Sequence, residues 1–429
     1  MNTSQSKLIS RRTTLKGLAA GIVAPTIIPS SALGGAGKPG ANDRIRVGTI
    51  GVGFRATLLM DQLPEEAEIV ALSDCDLPRA EAYRNKKGAS WDLYQDYRKM
   101  LDRKDIDGVI VATQAFQRVL PCIHACQAGK DVYAEKPLSL GISEGRSLVQ
   151  AVDKYKRVLQ VGTQQRSMEM NRVACDFIRS GGLGKIIEVR AVNYIGPQAL
   201  PAEPFPEEPV PAGLDWDMWL NQAKFRPYNP QWRGNWIDTM GGEMTNWGAH
   251  GLDQVQWALG KDGTGPVEMW PITPGLNGEV GMKYADGTPL NFVLPGNGPV
   301  GGAIFIGEKG KIEINRNKFT TNPGEIGAEL LKQVDVTEEE RKWSDNLALW
   351  QARWHIQNWL DCMRSRETPR ASAEIGHRSV TVCHLANLTR MLGRRLIWDP
   401  VAEQFTGDEE ANRWVNRERR AGFEIPNPL

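Results

Sequence analysis

The chain has 429 residues, yet only six are cysteine and five are histidine, which leaves little material for a metal centre. The cysteines, at 75, 122, 126, 175, 362 and 383, lack ligand spacing: Cys122 and Cys126 stand one helical turn apart, and no second pair completes a zinc site. Buried free thiols are the expectation, with no metal. An excess of one charge is missing too. The 52 basic and 51 acidic residues leave a net charge of +1 with no basic block, which argues against a nucleic-acid partner. The apolar run from Gly17 to Ile28 is shorter than the roughly 20 residues a spanning helix needs, so no stable membrane anchor is expected. The length suits two domains of ordinary size behind an amino-terminal segment, 1–42.

What is present begins with a glycine turn. Ile45-Arg46-Val47-Gly48-Thr49-Ile50 reads as a short apolar strand running into Gly51-Val52-Gly53-Phe54-Arg55-Ala56, a G-x-G-x-x-A turn that opens a helix. Gly51 permits the tight turn, Gly53 lets backbone approach a pyrophosphate, and Ala56 lets the helix pack close on the strand. The helix N-terminus adds N–H groups and the positive end of its dipole. A second apolar run, Glu68 to Ser73, ends in Asp74, about 20 residues past the turn, where this fingerprint carries the acid that binds a ribose 2′-hydroxyl. Such an acid repels a 2′-phosphate, so NAD is the expected cofactor; Arg79 nearby leaves NADP open. The pattern predicts a Rossmann NAD(P)-binding domain over 43–165.

Asp107 to Thr113 is a nearly continuous apolar run with a polar end, as expected for a central parallel strand covered on both faces. Leu120 to Gly129 reads as a helix with a glycine stop, and Asp131 to Ala134 and Val158 to Gly162 as further strands. Strand carboxyl ends carry the chemistry in such sheets. Thr113, Glu135, Lys136 and Gln164 therefore border one crevice, and join Gly51, Gly53, Ala56 and Asp74 as the cofactor-binding set. Lys136 would face the reacting end of a bound dinucleotide, unless Glu135 and Lys136 are simply an ion pair at a strand end.

From Met240 to Trp257 the pattern is helical, and positions 246, 250, 253 and 257 share one face. His250 alone among the histidines sits in such a polar stripe beside a glycine-rich approach, and imidazole exchanges a proton near neutral pH. The plainer alternative is a histidine bonded to Asp253 and buried for packing. Seven of the 14 tryptophans lie between 216 and 270; indole faces stack on sugar C–H surfaces, although core packing is the commoner fate of any one of them. Trp236, Trp247, Asn246, Arg166 and Arg233 are the candidates for substrate contact.

Together these residues resemble the Gfo/Idh/MocA superfamily (glucose-fructose oxidoreductase, inositol dehydrogenase and MocA). The matching elements are the G-x-G-x-x-A turn, Val111-Ala112-Thr113, Ala128-Gly129-Lys130, Glu135-Lys136-Pro137, and Gly241-Gly242 leading to His250 and Asp253. The resemblance covers nearly the whole chain after residue 43, and Glu-Lys-Pro following Ala-Gly-Lys is its most specific part. It implies an NAD(P)-dependent oxidoreductase of carbohydrate or cyclitol secondary alcohols. Lys136 and His250 would be catalytic, with Pro137 in a cis bond. On that basis His250 takes the hydroxyl proton and Lys136 stabilises the developing alkoxide. Two departures stand out. The inositol dehydrogenase pattern has an aspartate four residues before the histidine, where this chain has Asn246, which cannot take a proton. Relatives commonly carry Pro and histidine after Thr113, where this chain has Gln114 to Arg118. The resemblance therefore does not carry the substrate's identity.

Beyond Gln165 the reading is a helix at 169–179 and strands at 185–192, 278–285, 290–294, 302–306 and 311–315, with few helices between them. By resemblance this is an α+β domain over 166–399 with an open, mostly antiparallel mixed sheet, through which a homo-oligomer forms. The fold class is α/β overall. The proline-rich stretch 198–212 reads as an extended loop, helices at 348–364 and 372–394 are expected to pack near the nucleotide domain, and 400–429 forms a charged surface tail.

The amino terminus, Ser10-Arg11-Arg12-Thr13-Thr14-Leu15-Lys16 followed by the apolar core and Ser30-Ser31-Ala32, resembles a Tat-type signal peptide. It implies periplasmic or similar export after folding. Free NAD is not expected there, so the cofactor is expected to stay bound and be recycled within each turnover. The alternative on the same logic is an NAD-dependent glycoside-cleaving enzyme that uses transient oxidation.

Overall fold

The computed structural model describes residues 43–335, 351–427 and 429. The expected signal segment lies outside the described residues, as does the start of the predicted 348–364 helix. Six strands, β1 (Ile45–Ile50), β2 (Ala67–Ser73), β3 (Asp92–Tyr94), β4 (Gly108–Val111), β5 (Asp131–Ala134) and β6 (Leu159–Val161), make a parallel sheet in the order β3-β2-β1-β4-β5-β6. Between them run α1 (Phe54–Asp61), α2 (Leu77–Lys87), α3 (Tyr97–Leu101), α4 (Val119–Gln127) and α5 (Ile142–Tyr155).

The second half contains α6 (Glu169–Arg179), β7 (Ile186–Val192), α7 (Trp216–Leu220), α8 (Gly242–Asn246), α9 (Gly248–Ala258), β8 (Glu268–Pro271), β9 (Val280–Lys283), β10 (Pro289–Leu294), β11 (Ala303–Gly307), β12 (Gly310–Asn315), β13 (Lys318–Asn322) and α10 (Gly324–Leu331). It ends with α11 (Arg353–Ser365), α12 (Ala373–Leu392), β14 (Leu396–Asp399), β15 (Gln404–Phe405) and α13 (Glu409–Asn412). Its nine strands order as β13-β12-β11-β7-β10-β9-β8-β14-β15. Among the described strands of this sheet, only β7 and β10 pair in parallel. An α/β fold with a parallel nucleotide sheet and a mostly antiparallel mixed sheet is what the sequence predicts. Strands β3, β8, β13, β14 and β15 are additions to that reading, each short or partly exposed and thus weakly patterned.

The register explains the crevice. Ile50 pairs with both Ser73 and Val111, Val111 with Ala134, and Ala134 with Val161, so the carboxyl ends of five strands are level. Strand order reverses between β1 and β4, which opens a binding crevice at that edge. Val109, Ile110 and Val111 are fully buried because helices cover both faces. On one face Val119, Ile123 and Leu148 of α4 and α5 pack against β4; on the other, Ile356, Trp359 and Leu360 of α11 join Val47, Ile110 and Tyr133. Gly108 makes room for that helix: a Cβ there would stand 2.9 Å from both Met363 Cε and Trp359 Cζ2. The late helices thus return to the nucleotide sheet as expected, and α12 packs on both α5 and α9.

The described residues of the 400–429 tail are mostly exposed or half-buried, with a few apolar anchors. Phe405, Ala411 and Phe423 are buried, with Phe405 edge-on to Trp398 at 4.9 Å between ring centroids, and Arg419 pairs with Glu144 of α5 at 2.5 Å. Apolar residues spaced too widely to show a period anchor it. All six cysteines are free, and all but Cys75 are buried.

Candidate active site

The glycine turn is shaped by backbone. Gly51 has φ +83°, and a Cβ there would lie 3.0 Å from the Thr113 nitrogen and 3.1 Å from the Ala112 carbonyl, so only glycine suits the position. Gly53 caps α1, and a Cβ there would meet nothing within 4 Å, leaving open space where the α1 N–H groups point. Ala56 is fully buried at the contact of α1 with the sheet. Asp74 sits at the end of β2, its Oδ2 accepting from the Val52 N–H at 2.8 Å and its Oδ1 from the Asp76 N–H at 2.9 Å. Burial raises its carboxyl above the usual range despite those bonds. Arg79 stands 3.6 Å from Asp74. Trp219, Met218 and Asn221, reached from the second half, close this end of the crevice with Gln95 and Gln117.

Arg55, Ala112, Thr113 and Gln114 line this end and also a second cavity of about 280 Å³, bordered by Glu135, Lys136, Pro137, Gln164, Met240, Asn246, Trp247, His250, Arg118 and Arg316. The two are one crevice. Lys136 follows β5, and its bond to Pro137 is cis. Its Nζ donates to Asn246 Oδ1 at 2.7 Å and to the Asn246 carbonyl at 3.3 Å; Asn246 Nδ2 donates onward to Glu243 at 3.0 Å. Burial, with Arg55, Arg118 and Arg316 nearby, outweighs the pull of Glu135 and pushes the Lys136 ammonium down to about 8. Glu135 is not simply a partner of Lys136. Its Oε1 accepts from Arg55 Nε at 2.8 Å and its Oε2 from the Lys136 backbone N–H at 3.0 Å. Burial pushes that carboxyl up, but Arg55 and Lys136 hold it below the usual range.

His250 is on α9, which is buried all round. The predicted single helix is in fact α8 and α9 joined at Trp247. His250 is 4% exposed and its Nδ1 has no hydrogen-bond partner; on the same helix Gln254 accepts from Asn171 at 2.9 Å but leaves its own Nε2 unpartnered, and Gln256 accepts from Tyr284 at 2.6 Å. Asp253 does not bond His250. It takes Arg166 Nε on both oxygens at 2.9 Å and Ser379 at 2.9 Å. Burial, then the cations Arg316 and Lys136, hold the imidazole's protonation well below its ordinary range, so it is neutral at neutral pH.

The candidate substrate residues divide. Asn246 and Trp247 line the cavity, and Trp247 lies 5.8 Å from the His250 ring. Arg166 does not reach it: buried, it is committed to Asp253 and to Asp262 at 2.7 Å, an ion-pair network that fixes α9 instead. Arg233 is exposed and lies nearer Asp76, at 3.9 Å, than the reacting end. Trp236 packs on Phe205 and Trp232, with its Nε1 donating to the Gln231 carbonyl at 2.8 Å. Their spacing around the His250 helix suggested contact, but the turn at 230–233 directs them elsewhere. Gln164 borders the cavity; with its amide oriented to satisfy both ends, it accepts from Arg316 at 2.7 Å and donates to the Gly162 carbonyl at 2.8 Å. Arg55, Arg118 and Arg316 are the lining residues that sequence reasoning missed. Arg55 lies within the glycine fingerprint itself, at one of its unspecified positions. Arg316 sits at φ +55° in the β12–β13 turn, and Asn315-Arg316-Asn317 signals a turn without telling where it points.

The sequence matches two family models, "Oxidoreductase family, NAD-binding Rossmann fold" over residues 45–163 and "Oxidoreductase family, C-terminal alpha/beta domain" over 193–425, both of the Gfo/Idh/MocA group. The chain belongs to the Gfo/Idh/MocA oxidoreductase family. Its first sheet is therefore an NAD-binding Rossmann fold. Among similar proteins, the rhizopine catabolism protein MocA of Rhizobium meliloti is 25% identical over 52% of this chain and 59% of its own length. The inositol 2-dehydrogenase/D-chiro-inositol 3-dehydrogenase of Lacticaseibacillus casei is 29% identical over 36% and 45%. The matches span about half the length of these relatives. Two solved structures share the fold: the WlbA dehydrogenase of Chromobacterium violaceum with NADH and UDP-GlcNAcA (TM-score 0.59, 20% identity, 84% of this chain and 98% of that one), and scyllo-inositol dehydrogenase of Lactobacillus casei with NAD(H) and scyllo-inositol (TM-score 0.57, 17% identity, 84% and 100%).

Proposed function

We propose that this member of the Gfo/Idh/MocA family is an NAD-dependent oxidoreductase acting on a secondary alcohol of a carbohydrate or cyclitol. The observation that carries this is one crevice with a glycine turn and Asp74 at one end and Lys136 with a neutral, buried His250 at the other. The residues fit the cofactor: Gly51 and Gly53 leave backbone open, the α1 N-terminus offers N–H groups, and Asp74, Thr113, Glu135, Lys136 and Gln164 border the path. NAD, when bound, supplies the redox partner for the carbinol carbon. The chain supplies the proton chemistry. Lys136 donates a hydrogen bond to the substrate oxygen and favours alkoxide character, and His250, uncharged beside three cations, accepts the hydroxyl proton. Trp247 offers a face to the sugar ring.

We infer further that the protein is exported through its twin-arginine segment and keeps its cofactor through each turnover. The relatives bearing inositol dehydrogenase names support the substrate class. Mass spectrometry of the as-purified protein tests retention: bound nucleotide in near-stoichiometric amount is expected, and free exchange with added NAD refutes it. Replacing Arg11 and Arg12 by lysine is expected to stop export. A panel of free sugars, cyclitols and glycosides, scored for ketone formation against reducing-end release, separates net oxidation from transient oxidation with glycoside cleavage.

A further inference from the structure

We propose that Glu243, which does not border the cavity, is the residue that aims Lys136: its carboxylate fixes which way the Asn246 amide faces, and the amide fixes the ammonium. The inference rests on the oxidoreductase reading above and adds a positioning residue to it.

Hydrogen-bond polarity leaves the amide one orientation. An ammonium only donates, a carboxylate only accepts, and a primary amide has one end of each kind. Asn246 lies between the two: its Oδ1 accepts from Lys136 Nζ at 2.7 Å, and its Nδ2 donates to Glu243 Oε2 at 3.0 Å. Reversed, the amide would set its N–H groups against the ammonium and its oxygen against the carboxylate, and both bonds would be lost. Glu243 and Asn246 share α8 at a spacing that makes them neighbours on one helix face. The ammonium has three donors. Asn246 holds it through Oδ1 and through its backbone carbonyl at 3.3 Å, which leaves a donor for a substrate oxygen and makes its direction depend on Asn246. His250 follows on α9, so adjoining helices carry the proton acceptor and the pair that aims the donor. Glu135, Arg55, Arg118 and Arg316 also act on the Lys136 ammonium, His250 feels its charge, and Tyr194 feels that of Glu243. All of these stay in place when Glu243 alone is replaced. Glutamine at 243 keeps an acceptor without the charge and alanine removes both, which separates orientation from simple attraction.

Two readouts on the holoprotein test this. The first needs no substrate: brief treatment with acetic anhydride at neutral pH, followed by peptide mass spectrometry of Lys136. An amine acylates only when neutral, and losing an oriented acceptor disfavours its charged form, so Lys136 in Glu243→Ala should label about threefold or more faster than in the wild type. In Glu243→Gln it should label at the wild-type rate. The second readout is turnover of whichever of glucose, galactose, myo-inositol and scyllo-inositol the enzyme oxidises. Glu243→Ala should lower kcat by about 10–10²-fold, since ~1 Å of misplacement costs up to about 10²-fold, while KM and NADH affinity change little. Glu243→Gln should stay within about threefold of wild type, because its amide oxygen accepts from Asn246. Unchanged labelling and kcat in Glu243→Ala overturn the proposal, and so does a Glu243→Gln enzyme as impaired as the alanine variant. Should the melting temperature show that the alanine variant fails to fold, Glu243→Met fills the same space without an acceptor and is judged by the same outcomes. A wild type that oxidises none of the four counts against the oxidoreductase reading, and the labelling of Lys136 still decides this inference.

Discussion

The end of the crevice beside Asp74 and the end beside Lys136 differ in where their residues come from and in the charge they carry. At the first, Gly51, Gly53 and Asp74 lie within 24 residues of each other; the work is done by backbone and one acid, and Arg79 pairs loosely with that acid at 3.6 Å. At the second, Lys136 follows β5, Asn246 and His250 stand on α8 and α9, and Arg316 comes from the β12–β13 turn; among the described lining residues cations outnumber the single carboxylate. The first end is suited to a ligand that every relative with this turn can share. The second is assembled from distant parts of the chain, and the two should fail independently when altered.

The largest effect tests that independence. Lys136→Ala and His250→Ala are each expected to lower kcat by about 10²–10⁴-fold, the range for positioned proton-transfer and alkoxide-stabilising groups. For His250→Ala, which is outside the cofactor-binding set, NADH affinity should change by less than about threefold; stopped-flow turnover and fluorescence titration read the two separately. A Lys136→Ala enzyme with full turnover would remove the lysine from the mechanism.

Gly51→Ala should do the opposite. An alanine at φ +83° costs about 1–3 kcal/mol of strain, and its Cβ would press on Thr113 and Ala112 at 3.0–3.1 Å. Cofactor affinity should fall by about 5–150-fold, while kcat at saturating NAD falls far less. Equal losses in both would mean that the two ends are mechanically coupled. At the same end, Asp74→Ser is expected to weaken NAD by about tenfold and NADP by less, because the carboxylate that accepts a ribose hydroxyl and repels a 2′-phosphate is gone. An unchanged NAD to NADP ratio would show that Asp74, already bonded to the Val52 N–H, acts on the turn alone.

That division also explains what could be read from the sequence. The parallel sheet, its level carboxyl ends and the cofactor turn were legible because each depends on local pattern: apolar runs of strand length, glycines at fixed offsets, an acid at the next strand end. His250 and Asn246 were found through helical spacing. Arg118 and Arg316 were not, since no period marks a side chain that enters a cavity from a tight turn or from a helix start. Arg166 and Asp253 mislead for a related reason. A buried arginine beside an active-site helix reads as a ligand for substrate, and only the fold reveals Asp253 and Asp262 within 3 Å of it.

The smallest predicted effect concerns pH, and it follows from the amide that replaces the expected carboxylate. Lys136 must be protonated to donate to the substrate oxygen, and burial among cations pushes it down to about 8; activity should therefore fall as pH rises through about 8. His250 must be neutral to accept a proton, and its protonation is held well below the ordinary range, so activity should persist below the pH at which an ordinary histidine would protonate. Asn246→Asp places a carboxylate where Oδ1 now stands, 2.7 Å from Nζ. An opposite charge that close raises a lysine's proton affinity, so the alkaline limb of kcat should move up by about 1–3 pH units, and the acid limb should also rise as His250 gains a negative neighbour. An alkaline limb that stays near 8 in Asn246→Asp would show that a group other than Lys136 sets it.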